Sequence, residues 1–159
     1  MQHTLDRTDL HLLALLQGNG RMSNTELATV VSLSPSACLR RVQRLEADRV
    51  ICGYAALVDP AAVGLGLQAF VRVQLEKHGA AGVERFAARV AAWNEVVACH
   101  ALTGDMDYLL HIVVADLEHF SRFLLDKLLD AAGVADVNSS FVLRTVKQTR
   151  ALPLDHLPR

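Results

Sequence analysis

Three arginines, Arg40, Arg41 and Arg44, sit close together in a stretch, 27–45, that contains no acidic residue. A guanidinium carries a planar fork of donors that matches two phosphate oxygens or the O6/N7 edge of guanine, so the cluster has the chemistry of nucleic-acid binding. Ser34 and Ser36 precede it, and their hydroxyls, with the free amides of a helix N-terminus, could hold a phosphate. Without further context such arginines are a solvated helical face, some of them pairing with Glu46 or Asp48.

A second polar group, Thr103-Gly104-Asp105-Met106-Asp107, separates two apolar runs, 96–102 and 108–115. Taken alone, Gly-Asp-x-Asp is a good hairpin turn. Two aspartates also raise a divalent cation, but no further oxygen ligands accompany them. Cys99-His100 and His111 suggest zinc. Adjacent residues of a strand point to opposite faces, however, so Cys99 and His100 would not chelate together, and no metal site is expected. GxGxxG, Walker, GxSxG and HExxH motifs are absent, so no catalytic residue is assigned and no enzyme is expected.

The elements that must position these groups divide the chain in two. In 6–17, Leu10, Leu13 and Leu16 with Leu12 and Leu15 give a helical face, capped by Asp6 or Thr8 and ended by Gly18 and Gly20. Ser23-Asn24-Thr25-Glu26 is a capping box that opens a short second helix through Leu27, Val30 and Val31. Ser34-Pro35 caps a third, running to about Asp48, with Cys38, Val42 and Leu45 toward the core. The arrangement is a helix-turn-helix, whose third helix enters a major groove. The apolar run 50–58 predicts a strand, closed by Asp59-Pro60.

Beyond a linker at 61–67 the periodicity changes. Val71, Val73 and Leu75 alternate with polar residues as a strand. Val83, Phe86, Val90 and Trp93 mark a helix, and 96–102 with 108–115 a hairpin. Leu117, Phe120, Leu124 and Leu128 mark a second helix, and 137–146 a last strand. The two helical stripes are core faces, not a cofactor box. The predicted fold is α+β: an N-terminal helix-turn-helix (winged-helix-like) domain over 1–60, then a C-terminal ferredoxin-like βαββαβ domain over 68–159.

The 159 residues are 52% hydrophobic, with 21% charged, 5% aromatic and a formal net charge of −1. The charge excludes a uniformly basic coat but not a local patch. The apolar excess points to burial between subunits, and the sheet face that the two helices leave uncovered is its expected place. No apolar run reaches the length of a membrane span, and 1–7 shows no signal peptide. Cys38, Cys52 and Cys99 form no CxxC pair; they suit reduced thiols in a cytoplasm and are expected to act as small buried apolar residues.

Several segments carry a family resemblance. Leu5-Asp6 with Asp9, Gly20-Arg21, Glu26-Leu27-Ala28, Leu33-Ser34-Pro35-Ser36-Ala37-Cys38-Leu39-Arg40-Arg41-Val42 and Ile51-Cys52-Gly53-Tyr54 resemble the DNA-binding domain of the Lrp/AsnC (feast/famine) regulators. Ala101-Leu102-Thr103-Gly104-Asp105-Met106-Asp107-Tyr108-Leu109-Leu110, and Ser139-Ser140-Phe141-Val142-Leu143 with Lys147, resemble the family's effector domain. One departure is Arg49, where the family usually has glycine.

The resemblance implies a cytoplasmic transcription regulator that binds double-stranded DNA, dimerises through its sheets, assembles to an octamer and binds a free amino acid between dimers. It implies no cofactor besides that effector. Ser34, Ser36, Arg40, Arg41 and Arg44 would contact DNA. Thr103, Gly104, Asp105, Asp107, Ser139 and Ser140 would hold the effector, the aspartates facing the ammonium and backbone amides the carboxylate. The match around 101–108 and in the tail 152–157 suggests an apolar amino acid such as leucine or methionine. The rival reading is a small-molecule-binding βαββαβ oligomer, enzyme or protein-interaction module, whose helical domain does not bind DNA.

Overall fold

The computed structural model describes residues 5–76 and 79–155. Residues 1–4, read above for a signal peptide, and His156 and Leu157 of the tail lie outside them. Two units each have their own core: a helical unit of the residues up to Leu57 and from Lys147 onward, and a sheet unit, Val58–Val146.

The helical unit consists of α1 (Arg7–Gly18), α2 (Asn24–Val30) and α3 (Pro35–Ala47). Each start is fixed by a side chain that takes up amides the helix cannot satisfy. Asp6 Oδ1 accepts from the Asp9 amide at 2.9 Å while Asp9 Oδ2 accepts from the Asp6 amide at 3.1 Å. Ser23 and Glu26 repeat this reciprocal box at α2, at 3.3 and 2.6 Å. Ser34 Oγ accepts from the Ala37 amide at 3.3 Å, and Pro35 follows where its missing N–H is no loss. The turn between α2 and α3 passes through Ser32 at φ 55°. Leu12, Leu27, Ala28, Cys38 and Val42 form the core.

After α3 the amides of Val50 and Ile51 both donate to the Leu45 carbonyl, at 2.9 and 3.0 Å, around Arg49 at φ 55°. A left-handed non-glycine residue costs about 1 kcal/mol, so Arg49 is held there by these closing bonds. The segment 50–58, predicted as a strand, enters no sheet: its first two amides are used in closing α3, and all four strands of the sheet come from elsewhere in the chain. Tyr54 fastens the segment instead. Its hydroxyl donates to Glu46 Oε1 at 2.8 Å, and its ring lies where a Cβ on Gly20 would come within 3.3 Å.

The tail from Lys147, expected within the 68–159 domain, groups with the helices. Gln17 provides the reason: its amide oxygen accepts from the Leu152 N–H at 2.6 Å and its amide nitrogen donates to the Leu152 carbonyl at 3.3 Å. One side chain thus satisfies both polar groups of a tail residue.

The sheet unit runs β1 (Leu67–Leu75), α4 (Ala80–Ala91), β2 (Val96–Ala101), β3 (Tyr108–Val114), α5 (Leu117–Phe123) and β4 (Val134–Phe141), with α5 continuing into a π-helical turn, Leu124–Leu128. This is the predicted βαββαβ order, in an antiparallel sheet arranged β2-β3-β1-β4. Ala69, Val71, Val73 and Leu75 of β1 face the helices with Tyr108, Leu110, Ile112 and Val114 of β3, against Phe86, Val90, Phe120, Phe123 and Leu128. The helical stripes differ from expectation, since Val83 and Leu117 are exposed and Phe123 is buried. β4 starts and ends earlier than the predicted 137–146. Its pairing begins at Leu75↔Val134, and after Phe141 one more bond, from the Val142 amide to the Gln68 carbonyl at 2.9 Å, exhausts β1 as a template.

Among the described residues of the sheet unit no helix covers the other face of the sheet, which is mixed in polarity. Phe70 stacks on His111 with ring centroids 4.6 Å apart, and Arg72 donates to Asn138 at 3.1 Å. Leu109 and Val113 of β3 share this face, opposite Arg72 and Gln68. The largest exposures are Leu143 at 97%, Val146 at 84% and Leu57 at 76%, which lie outside the strands in sequence, before β1 and after β4. Cys38 is buried, whereas Cys52 and Cys99 are exposed, so two of the three thiols depart from the buried placement expected. No helix among the described residues is long and apolar enough to cross a membrane.

Burial, and then the Glu46 carboxylate, push the Tyr54 phenol up to about 12. The neutral phenol's contribution to stability is thus complete below its ordinary value near 10 and is lost as pH rises through about 12. Phenolate absorbance should show this late titration, and Glu46→Gln should move it part of the way back; an unmoved midpoint would show that the Glu46 contact contributes nothing.

Candidate functional site

On α3, Cys38, Val42 and Leu45 are buried, which fixes the helix's rotation and decides where each polar residue points. The three arginines do not share one environment. Arg41 Nη1 donates to Asp6 Oδ2 at 2.6 Å and to Asp9 Oδ1 at 2.9 Å, and Arg44 Nη2 donates to Asp9 Oδ2 at 2.5 Å. Asp9 is fully buried, while the Arg41 and Arg44 side chains remain 30% and 47% exposed. The acids that meet these arginines come from the start of α1; Glu46, a partner expected from sequence, instead accepts from Tyr54.

The electrostatics follow from these contacts. The Asp9 amide and then the Arg41 guanidinium hold the Asp6 carboxyl below its ordinary value. Asp6, followed by Asp9, raises Arg41 further above its own. Two guanidiniums meet two carboxylates here, and the third, exposed Arg40, has no hydrogen bond or ion pair among the described residues. Ser34 and Ser36 lie together at the start of α3 with their hydroxyl oxygens 3.3 Å apart.

Asp9 was visible in the sequence only as part of a pattern. The signal that singles it out is an acid on the apolar face of α1, three and four residues before the buried Leu12 and Leu13. Such a placement requires cationic partners, because an unpaired buried carboxylate is costly.

In the sheet unit, 102–107 closes the β2–β3 hairpin through a bond from the Leu102 amide to the Asp107 carbonyl at 2.8 Å. The two aspartates have different surroundings. Asp107 is half-buried, its Oδ2 accepts from the Leu75 amide at 2.7 Å, and its own amide donates to the Val73 carbonyl at 2.9 Å. It ties the hairpin to the end of β1. Asp105 is exposed with no partner among the described residues, beside exposed Thr103 and beside Gly104 at φ +122°, a conformation that a side chain would strain. Met106 between the aspartates is buried.

Ser139 and Ser140 are not gathered with this loop. Ser139 pairs with Val71 on the helix-covered face and Ser140 with Phe70 on the open face, so their side chains diverge. Two strand spacings and two residues of rise separate Ser139 from the start of β3, about 12 Å within one chain. Cys99 and His100, opposite Leu110 and Leu109, likewise face opposite sides.

Comparison with known proteins bears on both units. An AsnC-type helix-turn-helix domain model matches residues 5–46, and an Lrp/AsnC ligand binding domain model matches 68–152. The leucine-responsive regulatory protein of Escherichia coli K12 is 40% identical over 148 residues, 93% of this chain and 90% of that protein. The DNA-binding transcriptional activator DecR of the same organism is 37% identical over 151 residues, 95% of this chain and 99% of its own. A transcriptional regulator of Neisseria meningitidis, solved as a complex with L-Met, is 51% identical, superposes with a TM-score of 0.93 and covers 96% of this chain and 99% of its own.

Removing one partner from a buried ion pair costs about 3–5 kcal/mol when the remaining charge is trapped, but half-exposed arginines can rehydrate. Asp9→Ala, which also breaks the α1 capping box, should therefore cost about 2–3 kcal/mol in denaturant unfolding of the helical unit, and Asp9→Asn less. A loss under about 0.5 kcal/mol, the level of an ordinary surface substitution, would contradict a clamping role.

Proposed function

Since the chain belongs to the Lrp/AsnC family of DNA-binding transcription regulators with a ligand-binding domain, and not to a family of enzymes, we propose that it is a cytoplasmic, sequence-specific regulator whose effector is L-methionine or L-leucine. The observation that carries the ligand is the L-Met complex of a regulator 51% identical over nearly the whole chain. Ser34, Ser36 and Arg40 contact the duplex directly, and Arg41 and Arg44 add positive potential from their clamped positions. The regulator works as a dimer and an octamer, so an effector that favours one assembly changes how many half-sites are engaged together.

The effector needs an anion for its ammonium and donors for its carboxylate. Asp105 supports the first role, because its carboxylate is exposed and has no partner among the described residues, whereas that of Asp107 already serves the Leu75 amide. Amides next to Gly104 and the Thr103 hydroxyl support the second. The divergence of Ser139 and Ser140, and their separation from the loop, favour a site that combines the loop of one copy with a serine of another. The effector then lies between dimers, where its binding and the assembly are linked.

A panel of free amino acids in thermal unfolding tests this reading. At a hundredfold excess over Kd, L-methionine or L-leucine should raise Tm by roughly 5–10 °C, and Asp105→Ala should lose that rise while keeping the Tm of the free protein. No rise with either amino acid would reject the effector; a full rise in Asp105→Ala would move the site away from the loop.

A further inference from the structure

We propose that Arg40 and Gln43 form the base-reading pair of α3, and that Asp9 is the positioning residue that withdraws Arg41 and Arg44 from base reading. The proposal rests on α3 being the helix that meets DNA, and it assigns the sequence that the helix selects. With Cys38, Val42 and Leu45 facing the core, the exposed residues of α3 after Pro35 are Ser36, Leu39, Arg40, Gln43, Arg44, Glu46 and Ala47, of which Arg44 is held by Asp9 and Glu46 accepts from Tyr54. Ser36 is within 3.3 Å of Ser34 at the helix start, and Leu39 and Ala47 have no polar group to offer. Arg40 and Gln43 are exposed, and neither has a hydrogen bond or ion pair among the described residues.

Their spacing suits adjacent base pairs. Three residues of helix separate two side chains by about 60° around the axis and about 4.5 Å along it, close to the 3.4 Å rise of a duplex step. A free guanidinium matches guanine O6 and N7, and a carboxamide matches adenine N6 and N7, each with two hydrogen bonds. The half-site should therefore hold a G·C pair next to an A·T pair. To bring its whole guanidinium fork to a base edge, Arg41 would have to give up its bonds to Asp6 and Asp9, and Arg44 its bond to Asp9, each departure taking one cation away from a fully buried carboxylate. Their charge still acts on phosphates, which do not encode sequence.

Selection from a random duplex library, followed by affinity measurements on the enriched sites, tests the assignment. Wild type should enrich adjacent G·C and A·T pairs in each half-site. Gln43→Ala should relax preference at the A·T pair by about tenfold, Gln43→Arg should turn that position toward G·C, and Arg40→Ala should relax its neighbour alone. Arg41→Gln should weaken all sequences alike and leave the enriched site unchanged. An unchanged site with both Gln43 variants would overturn the pairing, as would a changed base preference with Arg41→Gln. A wild-type protein that enriched no sequence would overturn both the pairing and the DNA reading beneath it.

Discussion

The helical unit depends on one buried carboxylate. Asp9 Oδ2 accepts from the Asp6 amide in the cap of α1 and also from Arg44 of α3, while Oδ1 accepts from Arg41 of α3. A cap is a local device and an ion pair between helices a non-local one, and here a single side chain serves both. The rotation of α3 about its axis is thus set twice, by Cys38, Val42 and Leu45 on the apolar side and by Asp9 on the polar side. Buried ion pairs add little net stability over an apolar substitute, but they penalise any arrangement that separates the partners. That fits a helix which must offer one face, and not its neighbour, to a ligand.

The sheet unit uses a carboxylate in a related way. Asp107 bonds the Leu75 amide and so fixes the hairpin loop to the end of β1, next to the irregular pairing at Gln74/Leu75. Its near neighbour Asp105 is left exposed. In both units, then, acids or bases that look equivalent in sequence divide into one that holds the fold and one that is available: Asp107 and Asp105 in the loop, Arg41 and Arg40 on the helix. The available member is the better candidate for ligand contact, since its use costs no internal bond.

The architecture was legible because its signals are local. Capping serines and aspartates, the apolar stripes and the period-two strand β1 mark their elements within a few residues. What sequence did not reveal is the long-range pairing. Nothing near Arg41 announces that its partners lie more than thirty residues earlier, and nothing near Leu152 announces Gln17, 135 residues away. The strand predicted at 50–58 failed for the same reason: its apolar content suits a strand, but a strand needs a neighbour, and that is a property of the fold. Ser139 and Ser140 were read as one group because they are adjacent, yet adjacency in a strand places side chains on opposite faces.

The central claim is that recognition and clamping are divided among the arginines of α3, and a structure of the protein on a selected duplex tests it through two distances. In the free protein Arg41 Nη1 lies 2.9 Å from Asp9 Oδ1 and Arg44 Nη2 lies 2.5 Å from Asp9 Oδ2. The account predicts that both remain within hydrogen-bond range, under about 3.2 Å, while Arg40 and Gln43 reach base edges. Either distance opening beyond about 4 Å, with the released guanidinium on a base, would contradict it.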